Sequence, residues 1–272
     1  MWQVCKIFYI IFALQAFYGI MINRTYCSGF INLLNIYAFM HRKEGKMKYR
    51  IVGNTMPAVE VVFDAAGESM YTQSGGMAWM SDGIEMNTNT NGGLFKGVGR
   101  MFAGESLFMA NYTATKPGAS IAFASTVAGE VLPVNIGEEG GLICQKGAFL
   151  CAEPGVNLSV TFTKKFSAGF FGGEGFILQD ITGNGMVFLE IDGDKVIKDL
   201  APGEVIKVDT GNVVGFGKSV KYEIETVKGL KNIFLGGEGL FLTKLTGPGR
   251  VILQTQNFNE FAGRIAKVIP SK

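Results

Sequence analysis

The sequence predicts an all-β fold in which one domain is built from three similar units. Three observations lead to this prediction: a segment recurs along the chain, apolar and polar residues alternate as in strands, and glycine turns interrupt the alternation. The 272 residues are 47% hydrophobic, which is enough to bury a substantial core. The 38 glycines follow no collagen-like period, so they indicate tight turns between strands.

The recurrence is clearest in two glycine-rich segments near the middle and the end of the chain. FLGGEGLFLTKLTGPGRVILQT, from Phe234, and FFGGEGFILQDITGNGMVFLEI, from Phe170, are identical at eleven of 22 positions. A weaker copy, FAGESLFMANYT, begins at Phe102. The alignment superposes three glutamates and three threonines, namely Glu105, Glu174 and Glu238, and Thr113, Thr182 and Thr246.

A second landmark follows the same order, as true structural repeats require. It superposes Gly75, Gly147 and Gly211. We therefore predict units near 47–125, 126–195 and 196–272, and no Pro/Ser-rich linker separates them, so they should form a single pseudo-symmetric domain. The polar tract Asn87–Gly93 is interpreted as a loop insertion in the first unit.

Strand patterns occur within each unit. Val59, Val61 and Phe63 alternate with more polar residues, and Ile206 and Val208 do so in the third unit. Only the tail, NFNEFAGRIAK, has helical spacing.

The first 46 residues differ from the rest in composition. They contain two apolar runs, and their five basic residues against one acidic residue leave +4, so the remaining residues carry −2 of the overall +2. Each run is shorter than the roughly 20 residues of a membrane-spanning helix. Three interpretations stay open: a non-native extension before a true start at Met47, a membrane-associated segment, and a cleaved leader.

Residue content narrows the chemistry that residues 47–272 can perform. The one histidine, His41, precedes them, so a Ser-His-Asp or Cys-His pair and a histidine-ligated zinc site are excluded. No phosphate-loop fingerprint is present, and the slightly acidic balance makes nucleic acid an unlikely partner. Cys144 and Cys151 have no metal or redox spacing and are predicted to be buried free thiols. We therefore predict no catalytic residues, cofactor or metal.

Two sets of residues are candidates for interactions. A threefold arrangement could bring Glu105, Glu174 and Glu238 together to bind a cation, although turns required by the fold explain their glycine-rich context better. Trp79, within the apolar stretch GMAWM, is a candidate for subunit assembly, because edge strands readily pair with another subunit.

The landmarks together resemble a known family. AGESLF from Ala103, LAPGEVIKVDTGNVVGF from Leu200 and GGEGLFLTKLTGPGRVILQTQ from Gly236 are similar to bacterial proteins of the altered inheritance of mitochondria protein 24 type, a domain of unknown function. The resemblance spans residues 47–269. It implies three β-sandwich-like repeats, similar in fold to the tryptophan RNA-binding attenuation protein and to a double-stranded β-helix. The family pattern often has a histidine where Asn212 stands here, so any role of that histidine is absent from this chain, and Asn212 is a further candidate for interactions.

The leading hypothesis is a non-enzymatic scaffold or interaction protein that self-associates or binds a protein partner. It would act in the cytoplasm or, alternatively, at a membrane through residues 1–46. The alternative function is a ligand- or RNA-binding module by analogy with the fold. An enzyme has the least support, since no recognisable nucleophile motif or cofactor fingerprint is present.

Overall fold

The structure, a computed structural model, describes residues 47–73, 75–88, 109–164, 176–226, 241–266 and 268–269. The chain divides into two compact units, residues 1–46 and residues 47–272, and every described residue belongs to the second. The predictions for residues 1–46, including His41, lie outside the described residues.

Strands dominate the described residues, which confirms the all-β prediction. Three successive segments of strands are distinguished here. The first segment contains β1 (Lys48–Val52), β2 (Ala58–Val62), β3 (Ser69–Gln73), β4 (Met77–Met80), β5 (Ile84–Thr88), β6 (Met109–Ala114) and β7 (Ser120–Ala124). The second contains β8 (Gly129–Asn135), β9 (Leu142–Gln145), β10 (Phe149–Ala152), β11 (Val156–Lys164), β12 (Phe176–Gly183) and β13 (Met186–Asp192). The third contains β14 (Lys195–Leu200), β15 (Val205–Asp209), β16 (Val213–Gly217), β17 (Lys221–Thr226), β18 (Phe241–Thr246) and β19 (Gly249–Gln254).

Two α-helices accompany the strands in the described part of the chain. Helix α1 (Ile136–Glu139) follows β8, and helix α2 (Phe258–Ala266) follows β19 within the tail that has helical spacing. One boundary differs from the prediction: Asn87 and Thr88 of the polar tract belong to β5, because they pair with Asn111 and Ala110 of β6.

The strands form four antiparallel sheets. Sheet I has the order β1-β2-β7-β4, sheet II β5-β6-β3-β10-β13-β8, sheet III β11-β12-β9-β16-β19-β14 and sheet IV β15-β18-β17. Each central sheet joins strands from two segments, through β3–β10 in sheet II and through β9–β16 in sheet III.

One pairing pattern occurs in all three segments. Three strands pair in the orders β2-β7-β4, β8-β13-β10 and β14-β19-β16, and the other three in the orders β5-β6-β3, β11-β12-β9 and β17-β18-β15. A register shift also recurs in β4, β10 and β16, between Met77 and Trp79, between Phe149 and Cys151, and between Val213 and Gly215. The likeness to the tryptophan RNA-binding attenuation protein stays a prediction.

Buried apolar side chains fill three cores, one between each pair of successive sheets. The core between sheets I and II contains Val59, Val61 and Phe63, the residues whose alternation indicated a strand. The core between sheets II and III contains Leu142, Cys144 and Ile181 among others. The core between sheets III and IV contains Phe216 and Leu245, with Ile206 and Val208 of β15 packed against it. These three layers of apolar contact hold the four sheets together.

The turn before β3 and the turn before β15 share one construction. Gly67 and Gly203 adopt positive φ angles of 92° and 77°, a region that glycine enters without steric cost. The following glutamates close the turns, since the carboxylate of Glu68 accepts from the Asp64 N–H and that of Glu204 from the Ala201 N–H, both at 2.8 Å. Glycine and glutamate are therefore required here by the backbone.

Candidate functional site

The first inter-segment junction shows how strands of neighbouring segments meet. Thr72 of β3 stands opposite Cys151 of β10, and Tyr71 stands opposite Ala152. All four are buried. The Thr72 hydroxyl donates to the Leu150 carbonyl at 2.5 Å. Backbone pairing and tight burial together make this junction part of the protein interior.

Tyr71 adds contacts beyond the strand pair. Its hydroxyl donates to the Val156 carbonyl at 2.8 Å, and its ring stacks on Phe149 with the centroids 5.6 Å apart. Burial raises the pKa of Tyr71 far above its usual value, so the phenol stays a donor.

The second inter-segment junction repeats the first. Cys144 of β9 stands opposite Gly215 of β16, and Ile143 stands opposite Phe216. Cys144 and Phe216 are fully buried. The Gln145 side-chain amide donates to the Thr210 carbonyl across the junction at 2.6 Å.

The third junction that this pattern would require is not formed. It would join β15 of the third segment to β4 of the first, yet each of these strands ends its sheet within the described part of the chain. Their counterparts β3 and β9, and β10 and β16, are paired on both sides. Among the described residues, the outer edges of β4 and β15 therefore have no partner strand, whereas the corresponding edges of their counterparts are paired.

The free edge of β4 carries large exposed apolar side chains. Trp79 is 46% exposed and Met80 is 42% exposed. Their structural counterparts at the first junction, Cys151 and Ala152, are completely buried. Trp79, predicted from sequence as an assembly residue, thus lies on one of the two sheet edges whose counterparts form inter-segment junctions.

The free edge of β15 combines apolar residues with one ion pair. Val205 is 47% exposed, whereas Ile206 and Val208 are half-buried against the core of sheets III and IV. The Lys207 ammonium reaches Glu225 on β17 at 2.6 Å, and this hydrogen bond lowers the pKa of Glu225. Because β17 lies beyond β18 in sheet IV, Lys207 extends across the sheet and away from the open edge.

The other predicted residues do not join this surface. Glu105, Glu174 and Glu238 lie outside the described residues. The Asn212 amide donates to the Gln254 carbonyl at 2.9 Å and so fastens the turn before β16. Cys144 and Cys151 are buried free thiols, as predicted, and burial raises both of their pKa values.

Sequence reasoning missed Val208 as an edge residue, although a signal was available. Gly75, Gly147 and Gly211 are each followed four residues later by Trp79, Cys151 and Gly215. The sequence alignment thus superposes Trp79 on Cys151 and Gly215. That these two residues lie at junctions between segments is seen only from the strand pairing.

Two features are absent from the described residues. No group of three or more His, Cys, Asp or Glu side chains is arranged there to hold a metal ion. No helix in the described ranges is long and apolar enough to cross a membrane.

Comparisons with known proteins identify a family profile, a similar sequence and a similar solved structure. The sequence profile described as Mitochondrial biogenesis AIM24 matches residues 49–256. An uncharacterised protein of Streptococcus pyogenes serotype M6 is 27% identical over 222 residues, covering 79% of this chain and 88% of that protein. A crystal structure of a Streptococcus pyogenes protein superposes with a TM-score of 0.65 at 24% identity, covering 82% of this chain and all of the other, and supports the fold. Since the family profile covers most of its length, the chain belongs to the Mitochondrial biogenesis AIM24 family.

Proposed function

We propose that this protein is a non-enzymatic scaffold of the cytoplasm that works by self-association. The observation that carries the proposal is the pair of open edges on β4 and β15, whose counterparts in the same chain are strand junctions. Edge strands with unpaired backbone groups readily accept another strand. Trp79 and Met80 add apolar side chains of the kind that dominate protein interfaces.

Residue content supports the non-enzymatic part of the proposal. The chain has a single histidine, and its two described thiols are fully buried, where a cysteine is a poor nucleophile. The alternative of ligand or RNA binding rests on the fold resemblance and stays a prediction.

The proposal is tested by light scattering of the full chain after size exclusion, at several concentrations. We expect a mass above the 29.4 kDa of one chain. Trp79→Lys should lower that mass, because a charge would be buried in the interface. Ile197→Lys is the matched control, since Ile197 is similarly exposed at 45% and lies on β14, an edge strand whose counterparts β2 and β8 form no inter-segment junction. A wild-type mass of one chain at every concentration would contradict self-association.

A further inference from the structure

We propose that copies of this chain join head to tail through a third junction, in which β15 of one copy pairs antiparallel with β4 of the next. This inference rests on the proposed self-association and adds the partner strand and its register. The partner is a second copy because the chain already contains two junctions between strands of these same two types, β3–β10 and β9–β16.

The register on the β4 side follows from pairing with the sixth strand of each segment. Trp79, Cys151 and Gly215 stand opposite Ala122, Phe188 and Ile252 of β7, β13 and β19, and each follows the same register shift. They therefore occupy one structural position in three segments.

The register on the β15 side follows in the same way from the fifth strand of each segment. Thr72, Cys144 and Val208 stand opposite Ala110, Gln179 and Thr243 of β6, β12 and β18. They form the second set of equivalent positions.

Combining the two sets fixes the third junction. Thr72 stands opposite Cys151, and Cys144 stands opposite Gly215. The equivalent pair is Val208 of one copy opposite Trp79 of the next. The neighbouring pairs along the strands are Tyr71 opposite Ala152 and Ile143 opposite Phe216. Their equivalent in the third junction is Lys207 opposite Met80.

The side chains at these positions suit such a contact. Aromatic residues opposite β-branched residues are favourable cross-strand pairs. Val208 packs against the core of sheets III and IV but remains half-buried, so an indole beside it extends that core into the next copy. The Trp79 ring is larger than the side chains of Cys151 and Gly215. It would stand opposite Val208, which is half-buried, whereas the equivalent Thr72 and Cys144 are buried.

The contact joins two different edges and is therefore heterologous, so each copy keeps one further edge available until a ring closes. Each copy presents both β4 and β15, and a heterologous contact of this kind builds rings or filaments. A pairing of β4 with β4 would instead stop at a dimer and has no counterpart among the junctions of the described chain.

Disulfide trapping between two single variants tests the register. Trp79→Cys and Val208→Cys are prepared separately in the full chain, with Cys5→Ser and Cys27→Ser in both. The substitutions are compatible with the strands, because Cys151 and Cys144 occupy the equivalent positions. Directly opposed residues in antiparallel strands have Cα atoms about 4.5–5.5 Å apart, within the range of a disulfide.

The mixture of the two variants should form a disulfide-linked dimer under mild oxidation, at least about tenfold above the control mixture. The control pairs Trp79→Cys with Ile197→Cys, whose side chain lies on β14. Each single variant alone should give the same low background as that control.

Three results would overturn the inference. A linked dimer from Trp79→Cys alone would mean that β4 pairs with β4. A mass above one chain in light scattering without cross-linking of the mixture would refute this junction and leave self-association standing. A mass of one chain at all concentrations would refute both the junction and the proposed function.

Discussion

A single half-buried carboxyl shows how local environment sets the chemistry of one residue. Asp192 ends β13, two residues after the buried Glu190 on the same face of the strand. Burial, followed by the nearby charge of Glu190, raises the pKa of Asp192 from 3.8 to about 6, against a hydrogen bond from the Phe258 N–H that lowers it. The folded protein therefore binds this proton more tightly than the unfolded chain.

This difference predicts a pH dependence with a definite sign. Because the folded-state pKa of Asp192 is raised, stability from this group is lost as pH rises from about 4 through about 6. Asp192→Asn should therefore match the wild type near pH 4 and exceed its free energy of unfolding by roughly 1 kcal/mol near pH 8, after allowing for partial solvent screening. Urea unfolding at the two pH values measures it.

The matched control for this prediction is Asp194→Asn, because Asp194 is exposed on the same turn. As a substitution at an exposed site, it should change the free energy of unfolding by less than about 0.5 kcal/mol. A constant difference for Asp192→Asn would contradict the prediction.

At the scale of elements, a polar side chain on the last strand of a segment accepts hydrogen bonds from the residues that connect this segment to the preceding segment. One carboxylate oxygen of Glu190, on β13, accepts from the Ser125 hydroxyl, from both the N–H and the hydroxyl of Thr126, and from the Val127 N–H, at 2.8–3.3 Å. The equivalent Gln254, on β19, accepts from the Asp192 N–H at 3.0 Å. These contacts fasten β7 to β8 and β13 to β14.

Removing the Glu190 carboxylate should destabilise the fold strongly. Glu190→Ala removes this acceptor from the three donors of Thr126 and Val127, while the Ser125 hydroxyl keeps the Val127 carbonyl at 2.8 Å, so the free energy of unfolding should fall by about 3 kcal/mol. Glu190→Gln keeps an acceptor oxygen and should lose less. Glu85→Ala, at an exposed site on β5, should change stability by less than about 0.5 kcal/mol. Urea unfolding followed by circular dichroism compares them, and equal losses for Glu190→Ala and Glu85→Ala would refute this role.

At the scale of the whole molecule, the layered sheets leave two ends of different character. Sheets II and III are continued by the next segment, whereas sheet I ends at β4 and sheet IV ends at β15. Ile206 and Val208 on β15 are only half-buried, whereas the residues equivalent to Val208 at the internal junctions, Thr72 and Cys144, are buried. The core between sheets III and IV is therefore less completely covered at this edge. Assembly through these ends would therefore stabilise the folded state.

If assembly stabilises the folded state, the melting temperature of the full chain should depend on protein concentration. The wild-type melting temperature should rise by about 2–4 °C when the protein concentration increases from about 1 to about 100 µM, because the assembled folded state is favoured. Trp79→Lys should show a smaller rise. Ile197→Lys should behave as the wild type. Differential scanning fluorimetry measures the shifts, and equal dependence in Trp79→Lys and the wild type would refute a stabilising role of this edge.

Residue patterns alone predicted the all-β class, the buried thiols and Trp79 as an interaction candidate. Alternation at Val59, Val61 and Phe63 and frequent glycine turns are local signals, and local signals specify strands. The polar tract at Asn87 misled because pairing with β6 outweighs low strand propensity. Which strands lack a partner among the described residues follows from long-range contacts, since the burial of Cys151 and the exposure of Trp79 at equivalent positions depend on whether a distant segment supplies a partner strand.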